Sequence, residues 1–141
     1  MVNQYPNENA ITYKHLLVET LEDYFGDLCH EWLSPSYDLD KLLPKFTGNF
    51  LDREDAVGPK NNVWIVKPWN LARGIEITVS RNLMEIIRLA ESGPKLASMY
   101  INPTLYNKRK FDLRYIVMVR SVSISDIRAM KYITNCKFIA A

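Results

Sequence analysis

Val63-Trp-Ile-Val-Lys-Pro-Trp-Asn-Leu-Ala-Arg-Gly-Ile75 is the stretch on which the fold turns. Residues 62–67 are apolar on both faces, the pattern of a central strand rather than an edge. Pro68 has no amide hydrogen to give a neighbour and ends the run. The strand therefore delivers Lys67 to its last position, ahead of a loop that carries Arg73 and Gly74. Such a lysine can hold phosphate, with the glycine letting backbone come close to an anion. It can equally reach solvent along its own stem. Neither G-x-G-x-x-G nor G-x-x-x-x-G-K-[ST] occurs, so a Rossmann or P-loop nucleotide site is not supported.

Upstream of this strand the pattern is helical. Leu16, Leu17, Leu21, Tyr24, Phe25 and Leu28 recur at one-face spacing after Tyr13, with Thr12 as the expected N-cap. A second helix is expected over residues 39–51, with Leu42, Leu43, Phe46 and Phe50 inward and Pro44 near its start. The polar run 52–62 reads as a solvated connection. Downstream, residues 80–91 place Leu83, Ile86, Ile87 and Ala90 on one helical side, and Arg81–Glu85 and Glu85–Arg88 are spaced to pair on the other. Gly93-Pro94 stops that helix. Residues 95–101 read as a short strand, Asn102-Pro103 as a turn and 111–120 as a long strand. Strand, helix, strand, strand argues for an α/β or α+β sheet covered by helices. The stretch 121–141 has Ile124, Ile127, Met130 and Ile133 at roughly helical spacing.

The long strand supplies the second group of candidates. Alternation puts Phe111, Leu113, Tyr115, Val117 and Val119 on one face, and Lys110, Asp112, Arg114 and Arg120 on the other. Charges at that density must be solvated or paired. A cross-paired ladder on a wet sheet face satisfies this. So does the floor of a cleft that takes a phosphorylated or ribose-bearing ligand.

Composition limits the remaining classes. With 141 residues, 48% hydrophobic and 24% charged, the chain suits one domain with a real core. Its apolar runs fall far short of the ~20 residues of a membrane helix, and its start has no secretory pattern. Residues 1–57 hold 4 Lys+Arg against 11 Asp+Glu, and residues 92–141 hold 9 against 2. The basic half can face phosphate, nucleic acid or an acidic protein tail, or simply neutralise the acidic half. Cys29 and Cys136 have no metal or redox spacing, which fits a reducing cytoplasm, although a disulfide between them stays open. His15 and His30 have no ligand pattern around them. Glu22-Asp23 and Glu54-Asp55 read as solvated surface, and Trp32, Trp64 and Trp69 as core or interface. Lys108-Arg109-Lys110 is a basic turn of a common kind, so nucleic acid is not expected as a partner.

The 63–75 and 110–122 blocks, in this order and with Tyr100-Ile-Asn-Pro103 between them, resemble the tubulin–tyrosine-ligase-like family of ATP-grasp ligases. The likeness is greatest to one divergent member that shares the Lys-Pro-Trp-Asn-Leu-Ala-Arg string at 67–73. The resemblance implies that Lys67 contacts ATP phosphates and that the loop holding Arg73 and Gly74 closes over them. It implies that Ser98, Met99, Tyr100 and Ile101 hold the adenine, that Lys110 and Asp112 reach adenine and ribose, and that Arg114 faces phosphate or the acceptor peptide. The implied chemistry is ATP- and Mg2+-dependent amide formation on an acidic tubulin tail. The expected architecture is a helical segment over 1–57, a partial ATP-grasp domain over 58–122 and an unrelated tail over 123–141. Gly74 stands alone where active members carry several glycines, and the chain ends before the family's metal-holding acidic and asparagine residues. On this reading the 141 residues alone are not an active ligase. The alternative is a non-catalytic regulator that binds nucleotide or protein.

Overall fold

The computed structural model describes residues 7–69, 71, 74–116 and 132–139, with side chains for all of these except Asp27, 112–116 and 132–139. The chain divides into two units, residues 1–101 and 102–141. The class is α+β, with every strand pair antiparallel.

In the first unit, α1 (Asn9–Thr12) and α2 (Lys14–Phe25) run into a 3-10 turn (Gly26–Glu31). β1 (Ser36–Asp38), α3 (Leu39–Val57), β2 (Trp64–Pro68), β3 (Thr78–Ser80), α4 (Leu83–Glu91) and β4 (Lys95–Met99) follow. The four strands form one sheet in the order β1-β4-β2-β3. β2 is thus central, as its apolar run predicts, and pairs with β3 from Trp64↔Ser80 and with β4 from Trp64↔Met99.

Alternation gives the two faces of this sheet different work. Trp64 and Val66 of β2, with Ala97 of β4 and Tyr37 of β1, join Leu39, Phe46 and Phe50 of α3 and Ile86 of α4 in the core. The opposite row, Ser36↔Ser98↔Ile65 and Leu96↔Lys67, is left for the site.

Several expectations are corrected. α3 does not stop at Leu51 but runs through the polar residues to Val57, where Gly58 at φ +78 ends it. A helix accepts Asp52, Arg53, Glu54 and Asp55 as its outer face, and composition alone reads them as loop. Pro44 lies inside this helix and kinks it at Leu42 (φ −118, ψ 21), because a proline ring displaces the preceding turn. Asp38, not a residue of the helix itself, caps it by accepting from the Asp40 amide at 3.0 Å.

Thr12 is not the cap of α2. Its hydroxyl donates to the Glu8 carbonyl at 3.1 Å and Tyr13 takes the capping position. Only Val18 of α2 is buried, while Tyr24, Phe25 and Leu28 are exposed. Periodicity identifies an apolar face without saying how far the sheet beneath it extends.

α4 begins at Leu83 rather than at Ser80, which belongs to β3. Asn82 caps it by accepting from the amides of Met84 (2.9 Å) and Glu85 (3.2 Å). Glu85 accepts the Ser80 hydroxyl instead of pairing with Arg81 or Arg88, and among the described residues the ion pairs are Lys41–Glu19 and Lys95–Glu76. Asn82→Ala is expected to cost about 1 kcal/mol in urea unfolding, with Asn82→Asp close to the parent. Equal midpoints for all three proteins would show that the cap adds nothing.

In the second unit, β5 (Leu105–Tyr106), β6 (Arg109–Ile116) and β7 (Tyr132–Ile139) form a three-stranded sheet in that order. Asn107 and Lys108 both have positive φ (49 and 61), the two-residue turn that matches strand twist in a hairpin. The Lys108-Arg109-Lys110 run is therefore a hairpin tip and the first residues of a strand. Residues 132–139 are a strand, not the end of a helix. They pair with β6 from Lys110↔Ile139 to Ile116↔Tyr132, and of the helically spaced residues only Ile133 lies in this strand, the others being outside the described residues. Of the long strand expected over 111–120, residues 117–120 lie outside the described residues.

Candidate functional site

Ile65 and Lys67 leave the core-side row of β2 and line a cavity of about 430 Å3. Leu96 and Ser98 of β4 and Ser36 of β1 continue the same wall, as their register requires. Met99, Tyr100 and Ile101 carry it past the end of β4, and Lys14 and Leu17 of α2 close it from above with Trp32. The apolar run of β2 thus has one face in the core and the other on a cavity, which is why it reads as covered on both sides.

Two kinds of chemistry meet there. Lys67 is half-buried and has no ion pair or hydrogen bond among the described residues. Burial, and then the Lys14 ammonium nearby, lower its pKa from the ordinary lysine value of 10.5. A cation held so is a standing attraction for an anion. The remaining wall is mostly aliphatic and aromatic, with Ser34, Ser36 and Ser98 as its polar members, and the Ser36 hydroxyl donates to Ser98 Oγ at 2.8 Å.

The backbone after β4 is fixed at two points. Met99 N–H donates to the Pro35 carbonyl and Tyr100 N–H to that of Val63, both at 2.9 Å. Ile101 N–H makes no backbone bond among the described residues.

Of the residues singled out in the sequence, Lys67, Ser98, Met99, Tyr100 and Ile101 share this one cavity. Gly74 is exposed in the turn before β3 at φ +78, with nothing within 4 Å of where a Cβ would stand. The turn needs glycine for its dihedral, and no crowding demands it. Arg73 lies outside the described residues. Lys110 is exposed in the second unit, and the side chains of Asp112 and Arg114 lie outside the described ones. In backbone register Asp112 faces Lys137, and the pairing of β6 with β7 is irregular at Arg114, between Leu113 and Tyr115.

Sequence reasoning missed Lys14, Leu17 and Trp32, which reach the cavity from a helix and turn far away in the chain. Trp64 is core as expected and Trp32 is 59% exposed. Trp69 stacks on His15 with centroids 3.9 Å apart. The Cys29 thiol is buried and free. Among the described residues no group of three or more His, Cys, Asp or Glu is placed to hold a metal, and no helix is long and apolar enough to cross a membrane.

Comparison with known proteins agrees with the resemblance carried by residues 63–75 and 110–122. Residues 1–129 match the tubulin-tyrosine ligase family. The chain is 44% identical over 131 residues to Tubulin--tyrosine ligase-like protein 12 of Caenorhabditis elegans, covering 87% of this chain and 19% of that one. To the protein of that name in Homo sapiens it is 41% identical over 128 residues, covering 86% and 20%. To Tubulin glycylase 3D of Tetrahymena thermophila it is 39% identical over 98 residues, covering 61% and 10%. The chain spans about a fifth of the length of the first two relatives. With the match running through both units, the chain belongs to the tubulin-tyrosine ligase family.

Proposed function

We propose that this chain supplies the nucleotide-gripping surface of a tubulin-tyrosine-ligase-like protein. The observation that carries the reading is the meeting of Lys67 with Ser98, Met99, Tyr100 and Ile101 around one cavity of about 430 Å3. An unpaired, half-buried ammonium at one end suits the phosphates of ATP, and the apolar wall with Ile65, Leu96 and Ile101 suits a flat base. With the Met99 and Tyr100 amides already engaged, Ile101 N–H is the donor left for a ring nitrogen. The further roles, Arg73 and Gly74 for phosphate, Lys110 and Asp112 for ribose and adenine and Arg114 for the acceptor, are proposed from the family resemblance alone.

In this family ATP with Mg2+ supplies acyl-phosphate activation of a carboxylate, and an amine then forms the amide. We assign no metal ligand to this chain. Its own residues hold the nucleotide, and its basic stretch 92–141 suits an acidic tail such as tubulin's, in keeping with the tubulin-directed names of its relatives. We place it in the cytoplasm, where the free Cys29 thiol would stay reduced. The 141 residues are proposed to bind ATP without ligating by themselves. That makes them a nucleotide-binding module, and a regulator wherever they act alone.

Titration of the 141-residue chain with Mg-ATP, against Lys67→Ala, tests this. The parent is expected to bind, and the variant at least ten-fold more weakly, as follows from losing a charged hydrogen-bond donor worth roughly 1.5–3 kcal/mol. Equal affinities would remove Lys67 from the site. ATP-dependent addition of an amino acid to a tubulin-tail peptide by this chain would refute the binding-only role.

A further inference from the structure

Lys14 is the first residue of α2, yet its side chain serves a loop more than fifty positions away. Its ammonium donates to the carbonyls of Pro68 (3.2 Å), Trp69 (3.4 Å) and Leu71 (2.9 Å). An ammonium has three donors, and all three are directed at the stretch that leaves β2 just after Lys67. The next residue, His15, stacks on Trp69 with ring planes 17° apart. Neighbouring residues of one helix therefore hold the same loop by two independent contacts. Farther along, Glu76 is held by the Lys95 ammonium at 2.9 Å, with the Lys95 side chain only 6% exposed.

The polarity of these contacts matters for an anion. Three carbonyl oxygens beside the cavity would repel a phosphate, and a cation bonded to all three offsets their negative ends. Lys14 lines the same cavity as Lys67. With its donors spent on backbone, it has none left for a ligand, so its effect passes through the loop and through its field.

We propose that Lys14 is a positioning residue for the anion site at Lys67, fixing the chain that leaves β2 and adding a second positive charge to the cavity. This rests on reading that cavity as a nucleotide site. The helix before the sheet is then part of the binding apparatus, and its packing sets the affinity of a lysine on another element. Burial, and after it the field of the Lys14 cation, lowers the Lys67 pKa, as a second cation beside the same cavity should.

The 141-residue chain with Lys14→Gln or Lys14→Arg tests the proposal through three readouts. These are amide exchange of the peptide 69–77, acetylation of Lys67 by acetic anhydride at neutral pH, and Mg-ATP affinity. Lys14→Gln is expected to speed exchange in 69–77 about ten-fold while α4 keeps its protection. It should slow Lys67 acetylation, because a lysine relieved of a neighbouring cation is more fully protonated. It should weaken Mg-ATP about ten-fold, and Lys14→Arg should restore all three to near the parent. A purely structural lysine would speed exchange throughout the unit and leave the reactivity of Lys67 relative to other lysines unchanged, which would overturn the proposal. So would parent-like exchange in 69–77. If Lys14→Gln fails to fold, Lys14→Met, which keeps the stem without the charge, takes its place, and parent-like exchange in 69–77 there counts equally against it. A parent that binds no Mg-ATP sinks the nucleotide reading, and exchange and acetylation still decide whether Lys14 holds the loop.

Discussion

Trp64→Ala is expected to remove most of the stability of the chain. The side chain is fully buried at the centre of the core, with ring centroids 5.0 Å from Phe46, 5.9 Å from Tyr37 and 6.4 Å from Phe50. Removing it opens a cavity among rigid aromatic neighbours, at a cost of about 3–5 kcal/mol. A second loss follows from hydrogen bonding. The indole N–H donates to Asn62 Oδ1 at 2.8 Å, and Asn62 Nδ2 donates to the Phe50 carbonyl at 2.9 Å, with Asn62 completely buried. Without the indole, Asn62 Oδ1 is stranded in the core, a penalty of about 1–3 kcal/mol. The two losses share neighbours and will not simply add. Against a total stability of about 5–15 kcal/mol they are still decisive. Trp64→Phe keeps most of the ring and strands only the amide oxygen, so it should fall between the parent and the alanine variant. Urea unfolding followed by circular dichroism measures all three. A loss below about 2 kcal/mol for Trp64→Ala would mean that the core closes over the gap, and that the cluster is less rigid than its packing implies.

The same residues explain what was legible in the sequence. β2 stands out because its five residues put one face in the core and the other, half-buried, along the cavity, and the proline at its end marks the boundary. β1 and β3 are three residues each, too short to show alternation, and they are strands because β4 and β2 give them partners. The reach of α3 to Val57 was hidden by Asp52, Arg53, Glu54 and Asp55, which suit a loop and an exposed helical face equally well. β7 was hidden because Ile133, the last member of a helically spaced series, pairs with Tyr115 of β6, a partner that local spacing does not show. Half of the candidate site could be found because its residues lie at strand ends, where the resemblance through Lys67 and Ser98–Ile101 is densest. The other half could not. Lys14 carries no local signal, since its role exists only once α2 packs beside the loop after β2, a relation between residues 54 to 57 positions apart. Trp32 is informative only as part of a wall whose other members come from three strands and a helix.

Lys67→Met is expected to make the ligand-free chain more stable and to cut its response to nucleotide sharply. In the folded chain, burial and the Lys14 cation lower the Lys67 pKa below the 10.5 of an unfolded lysine. The unfolded chain therefore binds the Lys67 proton more readily than the folded one. Stability then rises with pH as the solution passes from the folded pKa up to 10.5, and below that window the whole penalty is present. At neutral pH the parent carries it. Methionine keeps the stem against Ile65 and Leu96 and discards the charge, so the variant should melt higher without ligand and lose the alkaline rise assigned to this group. With Mg-ATP the order should reverse. A ligand at a hundred times its dissociation constant stabilises a folded chain by about 2.7 kcal/mol, and only the parent keeps the cation that earns this. Melting curves of both proteins at pH 7 and pH 10, with and without Mg-ATP, separate the two effects. If the variant melts with the parent when free and shifts with it when bound, the ammonium is neither strained nor used. If it melts higher and responds little to nucleotide, the cost of holding an unpaired cation in the cavity is the cost of binding the anion, and Lys67 is where stability and function are exchanged.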